Sequence, residues 1–284
     1  MNKKTPNKPK VLKYMSIIIS FLESVSPRLA GKFTLRLFLK PFRFETPKRE
    51  FEAVEQANIF KIKVDENQVA IYEWGEGPVV WVIHGWSGRA TQLYEIVKEL
   101  VKAGFKVYGI DAPGHGKSSG DESNVVLFEN TLQELNRLKG PPEAFIGHSL
   151  GGAVGFFALA NGIKMKKLVS ISAPTIADDI IKEMLSRIGG GEISFENLKK
   201  EFVKRFNEPF EKYTALNWAV PEPKIPVLVI HDEDDKDAPI HHANELTKLL
   251  PKAEFYLTKG LGHNRILRDK EVINKVVSFI KKKV

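Results

Sequence analysis

Short apolar runs alternate with helix-like segments from residue 79 to the end of the chain. The apolar runs are 79–83, 105–110, 144–146, 167–171, 227–230 and 254–257. The helix-like segments are 91–102, 125–138, 152–160, 240–250 and 270–281. A continuous apolar run is typical of a strand buried on both faces, and alternation with helices is typical of parallel sheets. The pattern therefore predicts an α/β fold with a mostly parallel, doubly wound sheet and helices on both faces.

Two segments before residue 79 follow a period of two. Residues 59–64 and 68–74 alternate apolar and polar side chains on either side of Asp65-Glu66-Asn67. This arrangement predicts an antiparallel hairpin. Together with the six buried runs, it predicts a sheet of about eight strands with the hairpin at its N-terminal edge.

Residues 175–223 interrupt the alternation. They contain two helical stretches, divided by Gly189-Gly190-Gly191, and no strong strand. The segment is too long for an ordinary connection, so it predicts a helical lid or cap over the site, with the core formed by 56–174 and 224–284. Its aromatic residues indicate either an apolar acyl or alcohol moiety in the substrate or packing within the lid; they are Phe195, Phe202, Phe206, Phe210, Tyr213 and Trp218.

Residues 1–55 precede the core as a basic arm. Residues 1–10 are rich in lysine and contain Pro6 and Pro9, which predicts disorder. The apolar run at 14–22 is less than half of the about 20 residues that a spanning helix needs. It resembles a signal peptide but lacks a small-x-small cleavage site, so a cytoplasmic protein is favoured over an exported one. The arm is predicted to be amphipathic and to pack against the domain, and its basic face also suits peripheral membrane contact.

Composition excludes several classes of function. The net charge of +8 is concentrated in the first fifty residues and in Lys281-Lys282-Lys283, without a basic stripe that interleaves aromatic residues. We therefore expect no nucleic-acid partner. The absence of cysteine excludes a disulfide framework, a thiolate nucleophile and a cysteine-ligated metal or cluster.

The sequence Gly147-His148-Ser149-Leu150-Gly151 lies between a predicted strand and a predicted helix. Glycines on both sides of the serine allow a tight turn where strand and helix nearly collide. Such a turn exposes the serine at the top of the sheet. Without further context, the same motif is also consistent with an ordinary turn that carries a solvated serine.

Two other loops follow predicted parallel strands, and ligands bind at the carboxyl ends of such strands. The first contains His84, Gly85 and Trp86; the backbone N–H groups of Trp86 and of Leu150 are candidates to stabilise an oxyanion.

The second loop spans 111–120 and contains a Gly-Lys-Ser sequence that resembles a phosphate-binding loop. Asp111 occupies the position where that motif requires glycine, so we reject nucleotide binding and expect His115 to be a supporting residue.

The last two strands are followed by an acidic loop and by a histidine. The acidic loop, residues 232–237, fails the EF-hand pattern, so we expect no metal there. One of its carboxylates is better suited to accept a hydrogen bond from a histidine; Asp235, four residues before Pro239, is favoured and Asp234 is the alternative. His263 lies in a glycine-flanked loop, which is typical of a general base and unusual for a core histidine.

Ser149, Asp235 and His263 occur in the order nucleophile, acid, histidine, each after a predicted parallel strand, and His84-Gly85 precede them. Over residues 59–283 the chain resembles the α/β-hydrolase family. The resemblance implies an acyl-enzyme mechanism without cofactor or metal, in which Ser149 attacks, His263 is the base and Asp235 orients it. The oxyanion donors would be the backbone N–H groups of Trp86 and Leu150, with four supporting residues: His84, Gly85, His148 and His115. Asp232 is a departure, since many members of the family carry glycine there.

The family hosts many chemistries, so the fold alone does not fix the substrate. Serine at position 149 argues against the dehalogenase and epoxide-hydrolase branches, which use aspartate. We expect a hydrolase of small to medium, partly apolar carboxylic esters. The alternatives are a thioesterase or peptidase with the same mechanism, and a non-catalytic protein that keeps the fold to bind a ligand.

Overall fold

The structure, a computed structural model, describes residues 10–282, with side chains from residue 12. Most of the segment predicted to be disordered, residues 1–9, lies outside the described residues. The chain divides into two compact units. The sheet unit comprises Lys40–Thr175 and Thr214–Val284, and the helical unit comprises Met1–Leu39 and Ile176–Tyr213.

The sheet unit is built on one eight-stranded sheet. In chain order its strands are β1 Asn58–Val64, β2 Asn67–Trp74, β3 Val79–Ile83, β4 Lys106–Ile110, β5 Ala144–His148, β6 Lys167–Ile171, β7 Val227–Asp232 and β8 Glu254–Thr258. Their order across the sheet is β1-β2-β4-β3-β5-β6-β7-β8. Strand β2 is antiparallel to both β1 and β4, and the other neighbours are parallel. The predicted sheet with its antiparallel edge hairpin is confirmed.

The helices follow the strands as the periodicity predicts. They are α1 Lys10–Val25, α2 Pro27–Phe38, α3 Phe51–Glu55, α4 Tyr94–Lys102, α5 Val125–Lys139, α6 Leu150–Ala160, α7 Ala177–Ile188, α8 Glu192–Phe206, α9 Ala215–Trp218, α10 His241–Leu249, α11 Gly262–Arg265 and α12 Lys270–Lys281. The helix predicted over 91–102 begins instead as a 3-10 turn, Ala90–Leu93, before α4.

The two faces of the sheet bury different side chains because successive strand residues point to opposite sides. On one face, Val80 and Val82 of β3 belong to an apolar core that also includes residues of α4 and α12. On the other face, α6 lies so close that a Cβ on Gly155 would be 2.5 Å from Leu168 Cδ1 and 2.9 Å from Phe145 Cε1. The central strands are thus covered on both sides, and because they are parallel their carboxyl ends lie at one edge of the sheet.

The helical unit joins the N-terminal arm to the insertion. Ile19 of α1, Leu35 of α2, Ile181 of α7 and Leu198 of α8 are buried in one apolar cluster. The carboxylate of Glu23 accepts hydrogen bonds from the N–H groups of Gly191 and Ser194, at 2.9 and 3.1 Å, and so caps α8. The sequence predicts that the arm packs against the domain; in the structure, residues of α1 and α2 are buried with the inserted helices.

The aromatic residues of the insertion mostly contact one another. The Phe202 ring lies 4.5 Å from that of Phe206, 5.2 Å from Phe210 and 5.9 Å from Tyr213. Trp218 belongs to the sheet unit, where it stacks on Phe157 of α6 at 4.1 Å. The sequence allowed two interpretations of these aromatic residues, contact with an apolar substrate or packing within the lid, and packing accounts for these contacts.

Residues 40–55, which the sequence analysis assigned to the arm, belong to the sheet unit. Arg43 donates hydrogen bonds to the carbonyl oxygens of Gly116, Ser118 and Gly120, at 2.7 to 2.8 Å. The Glu50 side chain is 1% exposed, and its carboxylate accepts hydrogen bonds from Arg89 at 2.6 and 2.9 Å. Thr91 Oγ1 donates to the same carboxylate at 2.8 Å.

Replacing Glu50 with glutamine is expected to lower the free energy of unfolding by about 3 kcal/mol, because it leaves the half-buried guanidinium of Arg89 without its close counter-charge. Urea unfolding at neutral pH measures the change. The matched control is Glu134→Gln, which breaks an ion pair with Arg137 whose partners are 25% and 67% exposed. It should change stability far less, because water screens this pair at the surface. Equal effects of the two substitutions would contradict the expectation.

Candidate active site

Ser149 is held in a strained turn between β5 and α6. Its φ and ψ are 54° and −123°, in a region that residues with a side chain rarely adopt. The Ser149 N–H donates to Ile171 O of the neighbouring strand at 2.8 Å, which ties the turn to the sheet. The residue is half-buried, and the helix begins at the next position, Leu150.

Three glycines allow this turn because other chain segments come too close for a side chain. A Cβ on Gly147 would collide with the backbone of Gly151. A Cβ on Gly151 would lie 2.6 Å from the carbonyl oxygens of Ile83 and His84. A Cβ on Gly85 would lie 2.5 Å from Ser149 Cβ and 3.0 Å from its Oγ. The loop after β3 therefore runs directly beside the serine hydroxyl.

His263 and Asp235 form a hydrogen-bonded pair. His263 Nδ1 lies 2.8 Å from Asp235 Oδ2, and the side chains are 12% and 0% exposed. Asp235 Oδ1 accepts from the N–H groups of Asp237 and Ala238, each at 2.9 Å. Although burial acts to raise it, the hydrogen bond and charge of His263 hold the pKa of Asp235 below its ordinary value.

Of the other acids in this loop, Asp234 is exposed and Asp232 is buried. The Asp232 carboxylate accepts hydrogen bonds from Leu261 and Gly262 N–H, at 3.0 and 2.8 Å, and from Thr258 Oγ1 at 2.7 Å. It therefore fixes the start of the loop that carries His263. In the sequence, Asp232 is recognisable only as a departure from the family pattern, and nothing near it in the chain indicates this role.

His84 fixes the loop that precedes Trp86. Ala112 N–H donates to His84 Nε2 at 3.1 Å, so the proton is on Nδ1, which donates to Gly85 O at 2.6 Å. Gly85 O also accepts from Gly88 N–H at 3.0 Å. Since the peptide between Gly85 and Trp86 is planar, fixing its carbonyl also fixes the direction of the Trp86 N–H.

The other backbone donor that the sequence analysis selected belongs to Leu150. It is the first residue of α6, and the first N–H groups of a helix have no acceptor within that helix. The helix dipole adds partial positive charge at the same end. A developing negative charge near Ser149 would be stabilised there.

His115 packs against the loop that contains His84 and Trp86. Among the described residues, it forms no hydrogen bond with the serine turn. Its ring lies 4.8 Å from that of His84 and 5.4 Å from that of Trp86. Its Nδ1 donates to Pro113 O at 3.0 Å. The side chain thus supports the loop by packing.

His148, which precedes the serine, contacts His263 directly. Its Nε2 donates to His263 O at 2.8 Å, and the two rings lie 4.7 Å apart. Together with Asp232, it holds the backbone of the His263 loop. The geometry thus brings together the loops of Ser149, His84, Asp235 and His263, all within the sheet unit.

Comparison with known proteins agrees with the fold described above. The family model described as the alpha/beta hydrolase fold matches residues 78–190. An AB hydrolase superfamily protein of Bacillus subtilis is 23% identical over 76% of this chain and 97% of its own length. A solved Pyrococcus furiosus esterase superposes with a TM-score of 0.64 at 20% identity, covering 86% of this chain and 96% of its own.

The chain has the α/β-hydrolase fold. The resemblance stated from the sequence is confirmed at this level. A monoacylglycerol lipase of Mycolicibacterium smegmatis is a further relative, 23% identical over 71% of this chain and 87% of the lipase.

Several buried histidines of the protein have lowered pKa values, among them His84, His115 and His148. Burial and the neighbouring His263 lower the pKa of His148 to about 3. Burial lowers the pKa of His115 to about 4. Burial, followed by the nearby His115, lowers the pKa of His84 well below its ordinary value. All three imidazoles are therefore neutral at pH 7. A neutral imidazole has one N–H group, which is enough for the hydrogen bond that each of them donates to a carbonyl oxygen.

Between pH 6.5 and about 4, acid is expected to destabilise the protein through its buried histidines. Between pH 6.5 and about 4 the unfolded chain binds protons on His115 and His148, whereas the folded protein does not. The free energy of unfolding therefore falls as pH falls, by about 1.4 kcal/mol per pH unit for each histidine. Urea unfolding at several pH values measures the slope.

The His115→Gln variant isolates one of these contributions. Its slope between pH 6.5 and about 4 should be smaller by about 1.4 kcal/mol per pH unit. Above pH 7.5, where neither state gains a proton at this position, the curves of variant and wild type should run parallel. Identical slopes in the acid range would show that the His115 pKa is not lowered.

Proposed function

We propose that the protein is a serine hydrolase that cleaves carboxylic esters of small to medium, partly apolar substrates through an acyl-enzyme. One observation carries the proposal: the buried Asp235–His263 pair, at 2.8 Å, is assembled beside the serine turn by loops from separate strands. The relatives support a hydrolase of this fold, since they include a monoacylglycerol lipase and an esterase.

In the proposed reaction, each residue acts through a defined atom. Ser149 Oγ attacks the ester carbonyl carbon while His263 Nε2 takes the hydroxyl proton. The carbonyl oxygen becomes negative, and the Trp86 and Leu150 N–H groups stabilise it. The C–O bond to the alcohol then breaks as His263 returns the proton to the leaving oxygen. Water, activated by His263, releases the acid and restores Ser149.

Asp235 has a positioning role in this scheme. Its carboxylate accepts the Nδ1 proton of His263, which leaves Nε2 free to act as the base and stabilises the imidazolium. Asp232, His84, His148 and His115 hold the loops in place. The helices of 175–223 are proposed to form a lid.

Labelling with a fluorophosphonate tests the nucleophile, because this probe reacts with an activated serine. Label should be incorporated by the wild type, be lost in Ser149→Ala and be weakened in His263→Ala and Asp235→Asn. A panel of oxygen esters, thioesters and amides of increasing acyl length then distinguishes esterase from thioesterase or peptidase. Folded wild-type protein that takes no label and cleaves no member of the panel would favour a non-catalytic binding protein instead.

A further inference from the structure

Helix α1 is apolar on two opposite sides. Leu12, Met15 and Ile19 face inward and pack in the apolar cluster of the helical unit. The opposite side also carries large apolar residues at helical spacing, which we call the outer face of α1. Its members are Tyr14, Ile17, Ile18, Phe21 and Val25, and they are 46–66% exposed.

The outer face has no counterpart in an ordinary surface helix, which is polar on the side that faces water. Single exposed apolar residues are common, but five on one helical face form a patch that marks a binding surface. Leu29 at the start of α2 is also 50% exposed, so the patch continues past the end of α1.

Charge indicates what this face binds. Residues 1–40 contain nine basic residues and one acidic residue, so they account for the entire net charge of +8. The remaining 244 residues contain 34 basic and 34 acidic residues and are electrically balanced. The basic excess and the exposed apolar face therefore lie in the same short segment.

Three of these basic residues form a row on α2. Arg28, Lys32 and Arg36 are spaced four apart, which places them on one side of the helix, and all three are exposed. Lys13 lies one turn before Ile17 of the outer face. An exposed apolar helical face, followed in the chain by a row of exposed cations, combines the two features that are typical of a segment that lies in the plane of a membrane interface.

We propose that the outer face of α1 and the basic row of α2 bind an anionic lipid surface. The apolar side chains would enter the boundary between headgroups and acyl chains, and the cations would contact lipid phosphates. A second copy of the chain is disfavoured as occupant because it would bring two strongly basic segments together. The proposal is for peripheral contact; among residues 10–282 no helix is long and apolar enough to cross a membrane.

Co-sedimentation of the full chain with lipid vesicles tests the proposal. The wild type should pellet with vesicles of phosphatidylcholine and phosphatidylglycerol, and far less with phosphatidylcholine alone. Binding should weaken on raising the salt concentration to about 0.5 M, because salt screens the attraction. Arg28→Gln with Lys32→Gln and Arg36→Gln should weaken partitioning by roughly 100-fold.

The apolar contribution is tested by Ile17→Ser with Phe21→Ser, which should weaken partitioning by at least about tenfold. Both residues are more than 60% exposed, so the fold should tolerate the change; circular dichroism and thermal unfolding verify this. The matched controls are Val203→Ser, on an exposed position of α8, and Lys252→Gln, on an exposed lysine of the sheet unit. Both should bind vesicles like the wild type.

Two results would overturn the proposal. One is wild-type protein that remains in the supernatant with anionic vesicles. The other is a dimer, detected by light scattering, that dissociates in the Ile17→Ser, Phe21→Ser variant, which would assign the face to a second copy. Hydrolysis of a short soluble ester should be unchanged in the α1 and α2 variants and in Lys252→Gln, so the lipid proposal and the hydrolase proposal can fail independently.

Discussion

Ser149→Ala is expected to lower kcat for ester hydrolysis by at least about 10⁴-fold while the protein stays folded. The substitution removes a single oxygen, and in the proposed mechanism no other atom forms the covalent intermediate. Alanine keeps the Cβ that the turn already accommodates at φ 54°, so the backbone should not change. Initial rates with a saturating short-chain ester measure the effect, and thermal unfolding reports on the fold.

Ser172→Ala is a matched control for this experiment. Ser172 also follows a parallel strand, has a φ of 51° and donates its N–H to the next strand, to Ile230 O at 2.8 Å. It differs from Ser149 in that its chain neighbours form no hydrogen bond with His263 among the described residues, whereas His148, next to Ser149, donates to His263 O. Its replacement should change kcat by no more than a few fold. A loss of activity in Ser172→Ala with none in Ser149→Ala would refute the assignment of the nucleophile.

Asp235→Asn is expected to lower kcat by about 10⁴-fold with little change in KM. Asparagine can still accept the N–H groups of Asp237 and Ala238 through its oxygen, which places its NH₂ toward His263 Nδ1. His263 would then have to present an unprotonated Nδ1, so its Nε2 would carry the proton and could not act as a base. The loss therefore comes from the wrong tautomer and leaves the binding of substrate intact.

Asp234→Asn is the control, since it changes the same charge one residue earlier at an exposed position. It should retain nearly full activity. The pH–rate profile adds a second readout: in Asp235→Asn the remaining activity should rise toward high pH, where hydroxide replaces the general base. Equal losses in the two variants would indicate that the charge of the loop, and not the hydrogen bond to His263, matters.

The fold class could be predicted because it depends on local patterns. A strand buried on both faces leaves a continuous apolar run, and a helix leaves a period of 3.6, so each element is visible within a few residues. The serine turn is equally local, since the glycines at 147 and 151 are needed where strand and helix nearly meet. The chain order of Ser149, Asp235 and His263 then allowed the family to be recognised.

Strand order and long-range contacts could not be predicted in this way. Nothing near β3 indicates that it lies between β4 and β5. The sequence left Asp234 and Asp235 as alternatives because both are carboxylates in one loop. The two side chains differ in burial and in the direction in which they point, and the surrounding loops determine both. Asp235 is buried against His263, and Asp234 is exposed.

The sequence by itself thus determined the elements, the α/β class and the residue types of the candidate site, because neighbouring residues encode periodicity and turn strain. The tertiary structure alone decided that Asp232 and His148 hold the His263 loop, that Glu50 braces Arg89, and that the arm shares a core with the inserted helices. Each of these joins segments far apart in the chain, and such pairs are selected by the burial of shared surfaces and the need to satisfy buried polar groups.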